Sequence, residues 1–332
     1  MSRKVFLHLG APKTGSTSIQ IDCFEKIPAD ASVKYIGKRS DKNIGLFKKF
    51  LKSVNGLTYA EFEENKISLR DEFEAYCNGE HKDILISEES FIVTSYIMGE
   101  KVSVEEKIRR LGEILRNFDV EVVIVVRNQK EAVYSLYKEL YHSFRQIGGL
   151  VDVNDTNQSW EDLYATYDYA KLVEYIKESL RPNNVNIFFF EEFVGNPENV
   201  VRKLCSEFGV SISDDIIIRK LNSKSVFGDK TQIPPLSLKR KVEVALISNN
   251  SRPSNVILSN RVLYSMLSCG WKIIGRLLGS IPYKDNLLLP VRDNDFETVS
   301  RNRYMASNQI LFSRCSGTEK LALKYRYPGY ES

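Results

Sequence analysis

Residues 4–20 read KVFLHLGAPKTGSTSIQ, and the way this stretch divides decides the fold. Lys4–Leu9 is a short apolar run without alternation, the pattern of a strand buried on both faces. It breaks at Gly10 into a turn of Ala, Pro, Lys, Thr and Gly, and at Ser16 gives way to a helical pattern. A strand, a Gly-containing turn and a helix in that order aim unpaired N–H groups and the positive helix end into the turn, which is where a phosphate binds. Further along, Asp83–Ser87, Val120–Val126 and Val185–Phe190 repeat the apolar β-branched run. Helical patterns cover Ser16–Lys26, Tyr59–Cys77, Val104–Asn117, Lys130–Phe144, Asp168–Leu180 and Pro197–Phe208, the last opened by Asn196 as a cap with Pro at the first position. Strands interleaved with helices make βαβ units. The expected fold class is therefore α/β, a three-layer sandwich around a central, mostly parallel sheet.

The rest of the chain is consistent with an ordinary globular protein. Of its 332 residues 42% are apolar and 27% charged, with only 18 Gly and 10 Pro, which excludes collagen-like and wholly disordered classes. A net charge of +4 is too even for a nucleic-acid coat. Five scattered cysteines, without a CxxC pair or clustered His, read as reduced thiols and give no metal site. The apolar stretch ending at Gly10 is too short for a signal-peptide core, so the expected location is cytoplasmic. Val262–Ile281 is apolar but interrupted by Lys272 and Arg276; it reads as core, with peripheral membrane contact as the alternative. The polar stretch 145–160, RQIGGLVDVNDTNQSW, is expected to be a long loop and a candidate lid. Strand–helix alternation fades after Asn222, which divides the chain into an α/β core at 1–230 and a helical extension at 231–332 packed on it.

The turn invites comparison with the nucleotide triphosphate loop GxxxxGK[ST]. Gly10 and Gly15 have the right spacing, but Ser16 stands where the lysine belongs, and the only lysine, Lys13, comes three residues earlier. A kinase or ATPase reading loses its lysine. Lys13 inside the loop can instead reach the distal end of an anion, while Thr14, Ser16, Thr17 and Ser18 add hydroxyls to the backbone N–H groups. The bland alternative is a plain Gly/Ser/Thr turn.

A second element follows the third apolar run: VEVVIVVRNQKEAVYSLY, a strand ending in Arg127, then Asn128, then Ser135 two helical turns into the next helix. Arg127 and Ser135 can share a face and grip one phosphate, the arginine with two parallel donors and the serine with a hydroxyl. The bland alternative is an arginine paired with a surface carboxylate.

Together these two elements resemble those of the sulfotransferase family, whose P-loop-like fold transfers a sulfuryl group from 3′-phosphoadenosine 5′-phosphosulfate (PAPS). PKTGSTS is similar to that family's 5′-phosphosulfate loop and the stretch around Arg127 and Ser135 to its 3′-phosphate motif. The resemblance covers residues 3–225 and includes NVNIFFFEEFVGNPENVVRKLCSEFGV, where Glu191 and Glu192 read as serving strand end and helix packing. It implies that Lys13 donates to the bridging oxygen as the sulfuryl bond breaks, that amides of Gly15 to Thr17 hold the 5′-phosphate, that LNSKS with Lys224 adds nucleotide contacts, and that no metal is needed. The desulfated product would be adenosine 3′,5′-bisphosphate.

An acceptor hydroxyl must also lose a proton, and members of the family use His or Glu for this. His8 lies within the first strand and reads as core, His81 precedes the strand DILIS and falls at its wrong end, and His142 is late in a helix. Glu88 and Glu89 follow DILIS directly, where strand ends line a ligand crevice; an acidic pair capping a helix is the alternative for each. The tail resembles bacterial members acting on carbohydrate, so the expected acceptor is a carbohydrate, polysaccharide or glycolipid. Tyr137, Lys138, Tyr141 and Trp160 are candidates for a sugar cleft. The alternatives are a small-molecule kinase and a non-catalytic module that keeps the nucleotide site and binds a glycan or membrane.

Overall fold

The computed structural model describes residues 3–37, 44–146, 158–210, 218, 293–315 and 317–331. In chain order they form β1 (Lys4–Gly10), α1 (Ser16–Asp22), β2 (Val33–Gly37), α2 (Ile44–Asn55), α3 (Tyr59–Glu80), β3 (Asp83–Ser87), β4 (Ser95–Ile97), β5 (Glu100–Val102), α4 (Val104–Ile114), β6 (Asp119–Val126), α5 (Gln129–Gln146), α6 (Gln158–Ala165), α7 (Tyr169–Ser179), β7 (Asn184–Phe189), α8 (Phe190–Gly195), α9 (Pro197–Glu207), α10 (Asp293–Arg314) and α11 (Thr318–Lys324). Five strands make one parallel sheet in the order β2-β3-β1-β6-β7, flanked by helices, while β4 and β5 form a separate antiparallel hairpin. This is the α/β architecture expected from the sequence. The four apolar runs are β1, β3, β6 and β7; β2, whose VKYIG is broken by Lys34, is an additional edge strand.

β1 lies at the centre, with Leu7 level with Ile86 of β3 and Val122 of β6. The chain reaches β3 on one side and β6 on the other through separate crossovers, and such a switch point leaves a crevice beyond the carboxyl ends of the strands. The turns after β1, β3 and β6 meet there. One face of the sheet is packed by Phe6, Leu85, Val123 and Val125 against Ile19 and Phe24 beside α1, and against Val201, Leu204 and Phe208 around α9. The period of two sends Val5, Leu7 and Leu9 to the opposite face, where they are equally buried. Each such side chain removed from water contributes about 1.5–3 kcal/mol.

Helix starts follow local chemistry. Thr58 and Glu61 form a capping box at α3, and Ser103, Asp168 and Asn196 accept backbone N–H bonds at the starts of α4, α7 and α9. At α1 the cap position is Gly15, left-handed at φ 76°, with no side-chain cap.

Two compact units divide the chain: residues 1–133, 161–223 and 300–332 form one, and residues 134–160 and 224–299 the other. The first contains the whole sheet. In the second, the rings of Tyr134, Tyr137, Trp160 and Phe296 cluster with centroids 5.5–5.8 Å apart, and Tyr137 and Trp160 are fully buried. That corrects the expectation that these two line a sugar cleft, because neither ring has a face open to a ligand. Helix α5 runs to Gln146 and α6 begins at Gln158, so both ends of the stretch expected as a loop are helical; its centre, 147–157, lies outside the described residues. So do the LNSKS stretch with Lys224, Val262–Ile281, and the side chains of Lys138, Tyr141 and His142. Among the described residues no helix is long and apolar enough to cross a membrane, and no His/Cys/Asp/Glu cluster suits a metal ion.

Candidate active site

The turn between β1 and α1 is folded tightly on itself. Thr14 Oγ1 donates to the Ala11 carbonyl at 2.5 Å and lies 3.3 Å from Ser16 Oγ, and the Thr14 amide donates to the same carbonyl at 3.2 Å. A Cβ at Gly10 would sit 2.1 Å from Ser16 Oγ and 3.2 Å from Ser16 Cβ, so a side chain there would displace Ser16 from its place over the strand end. Lys13 takes a left-handed φ of 70°, a conformation that costs a residue with a side chain about 1–2 kcal/mol. Gly15, left-handed as well, backs onto the ring of Phe193, which a Cβ there would approach to 3.0 Å. Thr14, Ser16 and Ser18 are buried, whereas Lys13, Gly15 and Thr17 are half-buried.

The neighbouring strand brings the second motif to this turn. Gly10 is level with Val125 of β6, and the Ala11 amide donates to the Val125 carbonyl at 3.4 Å. Arg127, two residues on, donates from Nη1 to the carbonyl of Lys13 at 2.9 Å, and its guanidinium lies 4.8 Å from the centre of the Phe190 ring. A guanidinium carries five N–H donors in a planar fork, so one bond to the loop is compatible with a two-pronged grip on a phosphate. Ser135 is half-buried on α5 and belongs to the other compact unit.

Two tyrosines the sequence does not advertise, and Glu191 at the strand end, hold these parts. The Tyr169 hydroxyl accepts from the Arg127 amide at 3.0 Å and donates to the Arg127 carbonyl at 2.9 Å; burial holds this phenol well above its ordinary pKa, so it keeps the proton it donates. Tyr167, in edge contact with Tyr169, donates to the Pro12 carbonyl at 3.1 Å. Glu191 accepts from the Asn128 amide at 2.8 Å and from the Tyr327 hydroxyl at 3.0 Å. Burial raises the pKa of its carboxyl, opposed by those donors and by the charge of Arg127. Its part is structural, at the strand end. The only hint of the tyrosine bracket is the spacing in ATYDYA, residues 165–170.

At the tip of β3, Glu88 is buried and its Oε1 accepts from the Ser90 amide at 3.0 Å, starting a short 3-10 turn; Glu89 is half-buried. Beneath that turn, buried Lys107 donates to the carbonyls of Ser90 and Val93, its pKa pulled down to about 8 by burial and by Arg110. His8 is fully buried, its Nδ1 2.7 Å from Ser87 Oγ, and desolvation holds its pKa at about 3, so it is neutral. It is a core residue. His81 closes α3 at the opposite end of β3 from the site.

The family model for the sulfotransferase domain matches residues 4–237. The chain belongs to the sulfotransferase family. No curated protein matches this sulfotransferase. Among solved structures it is similar to a sulfotransferase from Alicyclobacillus acidocaldarius, at 15% identity over 82% of this chain and 100% of that one, with a TM-score of 0.38. It is also similar to a sulfotransferase domain of the olefin synthase of Synechococcus PCC 7002, at 14% identity over 90% and 94% of the chains with a TM-score of 0.37. A third is mouse sulfotransferase SULT7A1 complexed with PAP, at 15% identity over 64% and 60% with a TM-score of 0.33. Family membership sets aside the kinase alternative, and the donor of sulfotransferases is PAPS. The residues present fit that donor, since α1 starts without a side-chain cap and the β6 tip brings a guanidinium to the same turn.

Proposed function

We propose that this sulfotransferase moves the sulfuryl group of PAPS to a hydroxyl of a carbohydrate, as part of a polysaccharide or glycolipid, using the two strand-tip turns as one nucleotide site. The observation that supports it is the bond from Arg127 Nη1 to the Lys13 carbonyl, which couples the two motif residues of opposite nucleotide ends. PAPS supplies the sulfuryl group and a stable leaving nucleotide. Amides and hydroxyls of residues 14–18 hold the 5′-phosphate, Arg127 the 3′-phosphate, and Lys13 places an ammonium where negative charge develops.

Glu88 or Glu89 takes the acceptor proton. Both follow β3; of the alternative bases, His81 closes α3 at the far end of that strand, and the side chain of His142 lies outside the described residues. A carboxylate base suits a sugar hydroxyl positioned by hydrogen bonds. The test is calorimetry with adenosine 3′,5′-bisphosphate. Arg127→Ala is expected to weaken binding by about 1.5–3 kcal/mol, the contribution of a charged hydrogen bond, and unaltered affinity overturns the 3′-phosphate assignment. Assaying Glu88→Gln and Glu89→Gln separately for turnover with PAPS and a panel of sugar acceptors identifies the base; normal rates in both reject it.

A further inference from the structure

The turn that carries Arg127 is fastened from the far end of the chain. Helix α11 closes with Arg326 left-handed at φ 52° and the Tyr327 amide donating to the Ala322 carbonyl at 3.0 Å, a Schellman-type ending. That turn leaves the carbonyls of Tyr325 and Arg326 side by side, and Asn128 Nδ2 donates to both, at 3.1 and 2.8 Å. One residue on, the Tyr327 ring packs edge-on against Phe189 and Phe312, and its hydroxyl donates to Glu191 Oε2. Glu191 Oε1 in turn receives the Asn128 amide at 2.8 Å. Next in line, Gln129 and Asn308 exchange side-chain amide bonds at 2.7 and 3.2 Å, fully buried or nearly so, and Asn308 also donates to the Pro328 carbonyl. Both residues that follow Arg127 are thus gripped by the segment 308–328, almost two hundred positions away.

We infer that the C-terminal turn 325–328 and its relay through Glu191 are positioning elements of the nucleotide site, with Tyr327 and Glu191 setting the direction of Arg127 and hence the preference for a 3′-phosphorylated nucleotide. The inference rests on the reading that Arg127 meets the 3′-phosphate. The guanidinium is attached to the first residue after β6, and a planar two-pronged donor loses its grip when its backbone pivots. On one side Tyr169 holds that backbone; on the other side the hold comes through Asn128, whose amide and side chain both end on groups of the tail or on Glu191. Neither Tyr327 nor Glu191 touches the nucleotide in this scheme, so the signature is selective. Removing the relay costs affinity only for a ligand that has a 3′-phosphate.

The experiment measures calorimetric dissociation constants of the full chain for adenosine 3′,5′-bisphosphate and for adenosine 5′-monophosphate, in wild type, Tyr327→Phe and Glu191→Gln, with thermal unfolding as a check that each variant is folded. Tyr327→Phe keeps the ring and removes only the donor to Glu191; Glu191→Gln keeps the size and weakens both bonds, and serves alone if the first variant does not fold. The expected result is that the preference for the bisphosphate falls about threefold to tenfold, with monophosphate binding unchanged. A preference kept within twofold in the folded variants overturns the inference, and so does an equal loss for both nucleotides, which marks a merely structural role. Wild type that shows no preference for the bisphosphate overturns the reading of Arg127 itself, an outcome distinct from the other two.

Discussion

The two turns at the tips of β1 and β6 are neighbours with the same task, yet they are built in opposite ways. Residues 10–16 are shaped mainly by their own atoms, the Thr14 hydroxyl and amide on the Ala11 carbonyl, Ser16 folded over Gly10, and left-handed Lys13 and Gly15, with one remote bond each from Tyr167 and Arg127 to the Pro12 and Lys13 carbonyls. Residues 127–129 contribute little to their own shape and are held by Tyr169, Glu191, Asn308 and the carbonyls of Tyr325 and Arg326. A turn closed by local bonds must carry its glycines and hydroxyls in sequence order, whereas one closed by remote partners leaves its instructions scattered along the chain.

The largest expected effect comes from what lies beneath the first turn. His8, two residues before Gly10, is fully buried and neutral, with its pKa lowered from 6.5 to about 3. In the unfolded chain the same imidazole takes a proton near pH 6.5, so between those values the unfolded state binds more protons than the native one. The stability this group contributes is complete above pH 6.5 and is lost as pH falls toward 3, by as much as about 5 kcal/mol. Denaturant unfolding followed from pH 7.5 to 4 is therefore expected to show a steeper decline in wild type than in His8→Gln, which cannot titrate but can still bond Ser87. Parallel declines would mean that the imidazole gains access to a proton without unfolding.

Next in size is the division of labour between the turns. Lys13→Ala retains a Cβ and so leaves the left-handed backbone preference of residue 13 as it was; it removes the arm beyond Cβ, the ammonium with it. Turnover with PAPS is expected to fall by roughly 10²–10³, a few kcal/mol of transition-state stabilisation, while affinity for adenosine 3′,5′-bisphosphate changes little. Arg127→Ala is expected to show the reverse emphasis, its loss appearing in nucleotide affinity. Equal effects of both variants on affinity and rate would show that the turns act as one binding surface with no division between them.

The same contrast explains what could be read from the sequence. The strands β1, β3 and β6 announce themselves because the interior of a parallel sheet covered on both faces demands apolar runs; β7, an edge strand only partly buried, still carries a mostly apolar run, whereas β2 at the other edge is short and has Lys34 within it. The 5′-phosphate turn is legible from Gly10, Lys13 and Gly15, and the strand-end position of Arg127 from the run before it. Tyr167 and Tyr169 are not legible as site supports, because a buried tyrosine whose hydroxyl meets a carbonyl looks, in sequence, like any core aromatic, whereas the strand-end role of Glu191 is readable from its position after the run VNIFFF. The rings of Tyr137 and Trp160 show the converse error, aromatic residues that invite a ligand in sequence and pack against Phe296 instead. Tyr169→Phe measures the hidden half: it strips the Arg127 amide and carbonyl of their shared partner, at an expected cost of about 1–3 kcal/mol in unfolding free energy, together with weaker adenosine 3′,5′-bisphosphate binding. A loss of stability without any loss of binding would confine Tyr169 to the fold.

The smallest effect is expected within the first turn. Thr14 is fully buried, and Thr14→Val replaces its hydroxyl with a methyl of similar size. The Ala11 carbonyl that loses the Oγ1 bond keeps the Thr14 amide at 3.2 Å, so no buried acceptor is left without a donor. The losses are the bond to that carbonyl and the long 3.3 Å contact with Ser16 Oγ, about 1 kcal/mol net, against the larger cost at Tyr169, whose hydroxyl is the partner of two backbone groups. Chemical denaturation of the two variants side by side tests this ordering. If Thr14→Val proves as costly as Tyr169→Phe, the first turn depends on its hydroxyl as heavily as the second depends on its remote partner, and the distinction between a self-closed and a remotely closed anion turn does not hold.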